Sequence, residues 1–82
     1  MNNNFTKLIN LLDKEGFEYD IISEEAGSVE VDIAGLRHTI NVIAYDNEFY
    51  CHTYHKEDER FANDKCYKTF RGAKNYIFRY ID

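Results

Sequence analysis

The sequence predicts an α+β fold: a helix, a four-stranded antiparallel meander and a second helix, with both helices packed on one face of the sheet. Three observations carry this. Apolar stripes at helical spacing lie near both ends, apolar and polar residues alternate through the middle, and short turn-forming dipeptides punctuate that middle region. At 82 residues the chain reads as a single α+β domain over residues 1–82, too small to enclose a large internal active site.

The first helix follows from Phe5, Leu8, Ile9 and Leu12, which recur at i, i+3, i+4 and i+7. Asn3 or Asn4 supplies an N-cap and Gly16 a C-terminal stop. Tyr19, Ile21 and Ile22 begin a strand that ends in Glu24-Glu25-Ala26-Gly27. Val29, Val31 and Ile33 then alternate with Glu30 and Asp32, the pattern of a half-buried strand that points its acids at solvent. Ala34-Gly35 turns the chain into residues 36–45, and Asp46-Asn47 turns it again into residues 48–55.

Two-residue loops at both turns would pair Ile33 with Leu36 and Tyr45 with Glu48. Asp32 then faces Arg37, Ile43 faces Tyr50, and His38 faces His55. Both hairpins turn Val31, Ile33, Ile40, Val42, Phe49 and Cys51 to one inner face. Residues 55–63 are polar and acidic and read as a connector around Phe61 that includes Glu57-Asp58-Glu59. A second helix is expected from an N-cap at Asp64 to about Tyr80, with Phe70, Ala73, Ile77 and Ile81 as its core stripe. Gly72 is a weak point in it, costing about 1 kcal/mol relative to Ala.

Composition bounds the function. Seven Tyr, six Phe and 44% hydrophobic residues describe a folded chain, and two cysteines fall far short of a disulfide framework. With no basic, apolar leader at the N-terminus and no long apolar run, the expected compartment is the cytoplasm. Richness in Asn, Ile, Tyr and Lys fits an AT-rich bacterial or phage genome. Charge is polarised: residues 65–82 hold five basic residues and one acid, whereas residues 1–64 hold five basic residues and fourteen acids, for a net charge of −5.

No catalytic motif is present. Cys51, His38 and His55 share a sheet face in the expected register, but the chain has none of the CxxC, HxxxH or HExxH spacings of metal sites. The acidic run lacks the alternating oxygen ligands of a calcium loop, and there is no phosphate-binding glycine loop. The expectation is a protein without enzymatic activity, metal or cofactor.

Three surfaces remain. The acids Glu18, Asp20, Glu24, Glu25, Glu30 and Asp32 gather in the first two strands and would face a basic groove. Ile43, Tyr50, His52 and Tyr54 should cluster on the outer sheet face beside Glu30, Asp32, Arg37, Thr39 and Asn41, a patch that would stack bases or bind a protein, or a surface covered by the connector or by a second copy of the chain. Lys68, Arg71, Lys74, Phe78 and Arg79, with Tyr67, would interleave cations and aromatics on the last helix, which suits phosphate contacts and base stacking.

The first two surfaces indicate a small acidic protein-binding module, an inhibitor from a phage or mobile element that occupies the basic groove of a nucleic-acid-handling protein. The third indicates direct binding of double-stranded RNA or DNA. In element order, and in Arg71, Ala73 and Lys74, the chain resembles the double-stranded-RNA-binding domain, whose last helix begins with a lysine-rich K-K-x-A-K-like motif. That resemblance implies duplex binding through the last helix. The chain departs from the pattern in its fourth strand, in Phe70 at the first lysine position, in lacking a Gly-Pro-x-His loop, and in its acidic balance. The fourteen acids of residues 1–64 oppose phosphate binding, which favours the protein-binding reading.

Because neither cysteine spacing nor histidine spacing suggests a covalent or metal clasp, the melting temperature should not move with chelator or with reductant. A large drop with either would show that a metal or a disulfide holds the fold.

Overall fold

The computed structural model describes residues 3–57 and 60–82, so Asp58 and Glu59 of the acidic connector lie outside it. The order is α1 (Asn3–Glu15), β1 (Tyr19–Glu25), β2 (Ser28–Ala34), β3 (His38–Tyr45), β4 (Phe49–His55), β5 (Phe61–Tyr67) and α2 (Phe70–Tyr80). The fold is α+β, as expected, but the meander has five antiparallel strands in the order β1-β2-β3-β4-β5. The additional strand is β5, formed from residues read as connector and as the start of the last helix.

Inward alternation is as expected. Val31, Ile33, Ile40, Val42, Phe49 and Cys51 are all fully buried. They form one cluster with Leu8, Leu11 and Leu12 of α1 and Ala73, Tyr76 and Ile77 of α2, so both helices contribute to the core on that face. Phe5, Ile9, Phe70 and Ile81 are partly buried at its margin. Asn3 and Asn4 fall within α1, and the Asn4 side-chain amide donates across to the Tyr45 carbonyl at 2.8 Å. Gly16 ends α1 at φ +73°, where its N–H reaches the Asp13 carbonyl and the Phe17 N–H reaches that of Leu12. A left-handed residue with that pair of bonds is a Schellman terminator.

The register differs at one hairpin. Ile33 pairs with Ile40 and Asp32 with Asn41, not with Leu36 and Arg37. The reason lies in the loop. The Gly35 N–H bonds the His38 carbonyl and the Leu36 N–H bonds the Ile81 carbonyl, so the connection is tied to the end of α2 instead of closing as a two-residue turn. A Cβ on Gly35 would lie 2.7 Å from the His38 oxygen and 2.8 Å from the Ile81 oxygen, which leaves room for glycine alone. Each β2 partner moves by four residues, an even number, and the faces are therefore preserved. The second hairpin has the expected register, with Ile43 opposite Tyr50 and His38 opposite His55.

At the C-terminal end Thr69, not Asp64, is the N-cap, its hydroxyl accepting the Gly72 N–H at 3.3 Å. Gly72 has a packing role, since a Cβ there would collide with the Tyr67 ring. Tyr76, outside the expected core stripe, is 3% exposed and donates its hydroxyl to the Asn63 carbonyl at 2.8 Å. Asn63 has a left-handed φ of 58°, beside an irregularity in the β4–β5 pairing. Thr53, fully buried, adds a bond to the Ala62 carbonyl and accepts one from the Asn63 amide. The core therefore holds the last strand through polar anchors.

Ile40→Ala should destabilise the fold by about 2–5 kcal/mol, as buried large-to-small changes do. Ile43→Ala, on the opposite face, should cost clearly less. Equal shifts of the two urea midpoints would contradict the assignment of faces.

Candidate functional site

The sheet face turned away from the helices brings together most of the residues singled out in the sequence. Paired residues of antiparallel strands share a face, so the register places them directly. Asp20 pairs with Asp32, Asp32 with Asn41, Asn41 with His52, Ile43 with Tyr50 and Tyr54 with Phe61. Ile43, Tyr50, His52 and Tyr54 are half-buried there. Glu18 joins them at the base of β1, where its carbonyl accepts the Ala34 N–H.

Two shallow hollows adjoin on this face and share Asp32 and Tyr54. The larger, about 610 Å³, is lined by Phe17, Glu18, Asp20, Asp32, Thr39 and Tyr54 among others. The smaller, about 350 Å³, is lined by Glu30, Asp32, Asn41, Tyr54 and Phe61. Four of the six expected acids thus converge. Glu25 stands opposite Ser28 at the far end of the hairpin, whereas Glu24 pairs with Val29 and belongs to the other face.

Asn41 organises the centre. Its Nδ2 donates to Glu30 Oε2 at 2.8 Å and to Asp32 Oδ1 at 2.7 Å, a neutral bridge between two carboxylates that would otherwise repel. The Tyr54 hydroxyl adds a longer bond, 3.4 Å, to Asp32 Oδ2. Asn41 itself is 4% exposed, and its Oδ1 is buried without a hydrogen-bond partner.

The aromatic rim is continuous. Phe61 is 65% exposed, yet its ring lies 4.5 Å from that of His52 and 5.5 Å from that of Tyr54. Tyr50 packs edge-on against His52 at 5.5 Å, and Asp64 receives the Tyr50 hydroxyl at 3.2 Å with His52 Nδ1 4.0 Å away. Partial desolvation, aided by Asp64, raises the Tyr50 hydroxyl pKa. Phe61 and Asp64 belong to this surface through β5. The sequence gives little signal for that strand, because the irregular backbone at Asn63 interrupts its period-two pattern.

The basic residues are dispersed. Lys65 and Tyr67 lie on β5, and Lys68 precedes α2 with its ammonium 2.9 Å from Glu48 Oε1. Arg71, Lys74, Phe78 and Arg79 do lie on α2. There Lys74 sits 5.9 Å over the Phe78 ring, Arg79 lies 5.7 Å from the Tyr80 ring, and Phe78 packs edge-on against Phe17. The helix thus presents three cations instead of five, while Lys7 and Lys14 of α1 flank Lys74 across a shallow groove. With a fifth strand, the element order also moves further from that of the double-stranded-RNA-binding domain.

Neither cysteine is placed as a nucleophile. Burial pushes the Cys51 thiol up to about 12. Cys66 is exposed, but it donates to Glu48 Oε2 at 2.9 Å, and the carboxylate raises its pKa against a smaller opposing effect of Lys68. His38 and His55 meet edge to face with ring centroids 5.5 Å apart. Among the described residues, no group of three His, Cys, Asp or Glu side chains could hold a metal ion. No helix among them is long and apolar enough to cross a membrane.

Comparisons with family models, with curated proteins and with solved structures give no match.

Glu48 is held below the usual carboxylate range, chiefly by the Cys66 thiol and then by Lys68. A carboxyl lowered on folding stabilises above its unfolded pKa and loses that contribution as pH falls through its folded one. For Cys66 the same contact predicts slow alkylation at mildly alkaline pH for so exposed a thiol, and faster alkylation in Glu48→Gln. An unchanged rate would show that Glu48 does not restrain it.

Proposed function

We propose that this chain is a non-enzymatic protein-binding module that docks its outer sheet face on a basic surface of a larger protein. The observation that carries the reading is the contiguity, on the face the helices leave open, of Glu18, Asp20, Glu30 and Asp32 with the aromatic rim of Tyr54 and Phe61. Acidic groups steer approach to a positive partner, and the aromatic residues supply the desolvated contact area that holds it. If the basic surface normally carries nucleic acid, occupancy excludes the nucleic acid, and the protein acts as a competitive inhibitor. A phage or mobile-element protein working in the cytoplasm fits this role.

The alternative, a nucleic-acid contact through the helix layer, has one observation in its favour: Lys7, Lys14 and Lys74 converge between α1 and α2. It is the weaker reading, because three helix cations and two lysines release few counterions, while the acids of the sheet repel phosphate.

The readings separate by face. Binding of a mixed arginine and lysine polypeptide should weaken about tenfold or more in Glu30→Lys with Asp32→Lys, and change little in Lys74→Glu with Arg79→Glu. Duplex RNA or DNA should bind no tighter than about micromolar at physiological salt. A nanomolar duplex complex lost in the helix variant would overturn the proposal.

A further inference from the structure

Glu30 and Asp32 stand two positions apart on one face of β2; the groups that hydrogen-bond them, the Asn41 amide and the Tyr54 hydroxyl, are neutral, and the cross-strand partner of Asp32 is a further acid, Asp20. The amide spends both its hydrogens on the two carboxylates. That leaves the centre of the hollow rich in acceptors and short of donors. The Asn41 oxygen is buried without a partner, each carboxylate has a second oxygen, and among the described residues the Tyr54 hydroxyl reaches Asp32 only at 3.4 Å. Buried acceptors without donors are costly, and two negative charges drawn together are costly again. A ligand that brought positive charge and several N–H groups would offset the charge and donate to the remaining carboxylate oxygens.

The walls narrow the choice of ligand. Tyr54 and Phe61 border the hollow, their rings 5.5 Å apart and nearly perpendicular. A planar cation between the carboxylates can lay its face on one of these rings. A guanidinium meets both demands: its donors fork to carboxylates, it stacks on aromatic faces, and it sheds water more readily than an ammonium. A metal ion gains nothing from the aromatic walls.

We infer that the hollow formed by Glu30, Asp32, Asn41, Tyr54 and Phe61 is a subsite for an arginine side chain of a basic protein partner. The inference rests on the docking reading above and deepens it by naming the residue recognised. Glu18 and Asp20, around the adjoining hollow, then supply longer-range attraction rather than contact with this side chain.

The test is an NMR titration of the whole, isotope-labelled chain with a short, otherwise uncharged peptide carrying one arginine, and with its lysine and citrulline counterparts. The arginine peptide should shift the Asn41 side-chain amide and the Tyr54 signals. It should bind about threefold or more tighter than the lysine peptide, and citrulline should not bind. Asp32→Asn should abolish the preference. Phe61→Ala should reduce it, with the core signals of Phe49 unchanged as the check that the fold is kept. Equal binding of arginine and lysine, or arginine shifts centred elsewhere, would overturn the subsite while leaving the docking face intact if the basic polypeptide still binds there. If no basic probe perturbs the outer face, both proposals fall together.

Discussion

Everything in this molecule depends on a sheet with two faces and enough helix to cover one. Five strands at about 4.8 Å spacing make a surface roughly 20 Å wide, and two helices, each about 10 Å across, cover it once. The buried apolar residues of the sheet therefore stand on the inner side of β2, β3 and β4, where Leu8, Leu12, Ala73 and Ile77 meet them. Among the described residues, the other side has no apolar layer to pack against. It is stabilised instead by rings that touch edge to face, by the Tyr50–Asp64 and Tyr54–Asp32 bonds, and by the Asn41 bridge.

The inner face was legible in the sequence because alternation is a local signal and was repeated across two hairpins. It survived an error in pairing. The loop after Ala34 is held by hydrogen bonds to His38 and Ile81, and no reading of Ala34-Gly35 could anticipate a tie to the end of the chain. The resulting four-residue slip left every side chain on its expected face but replaced Arg37 with Asn41 as the partner of Asp32. That replacement changed the chemistry of the site. An acid expected to face an arginine faces a neutral amide that it shares with Glu30, and the pair is left with its charge uncompensated by those neighbours.

The last strand was the other loss. Residues 61–67 lack β-branched side chains, and at Asn63 the backbone takes a positive φ that interrupts alternation. What holds them in the sheet is distant: the Tyr76 hydroxyl on the Asn63 carbonyl, and Thr53 on Ala62 and Asn63. Recovering β5 changes both candidate surfaces at once. It removes Tyr67 and Lys65 from the basic helix, and it adds Phe61 and Asp64 to the aromatic face. Glu30 and Asp32, expected beside the aromatics of the outer face, are joined there by Glu18 and Asp20 through two hollows that share Asp32 and Tyr54.

The central claim is that this second face stays open in solution. The most direct measurement is the paramagnetic relaxation of side-chain protons by a neutral, soluble gadolinium chelate. The ring protons of Phe61, and those of Tyr54 to a lesser degree, should relax strongly while those of Phe49 in the core stay protected, at every protein concentration tested. Protection of Phe61 and Tyr54 equal to that of Phe49 would mean that the face is already covered, and would contradict the account.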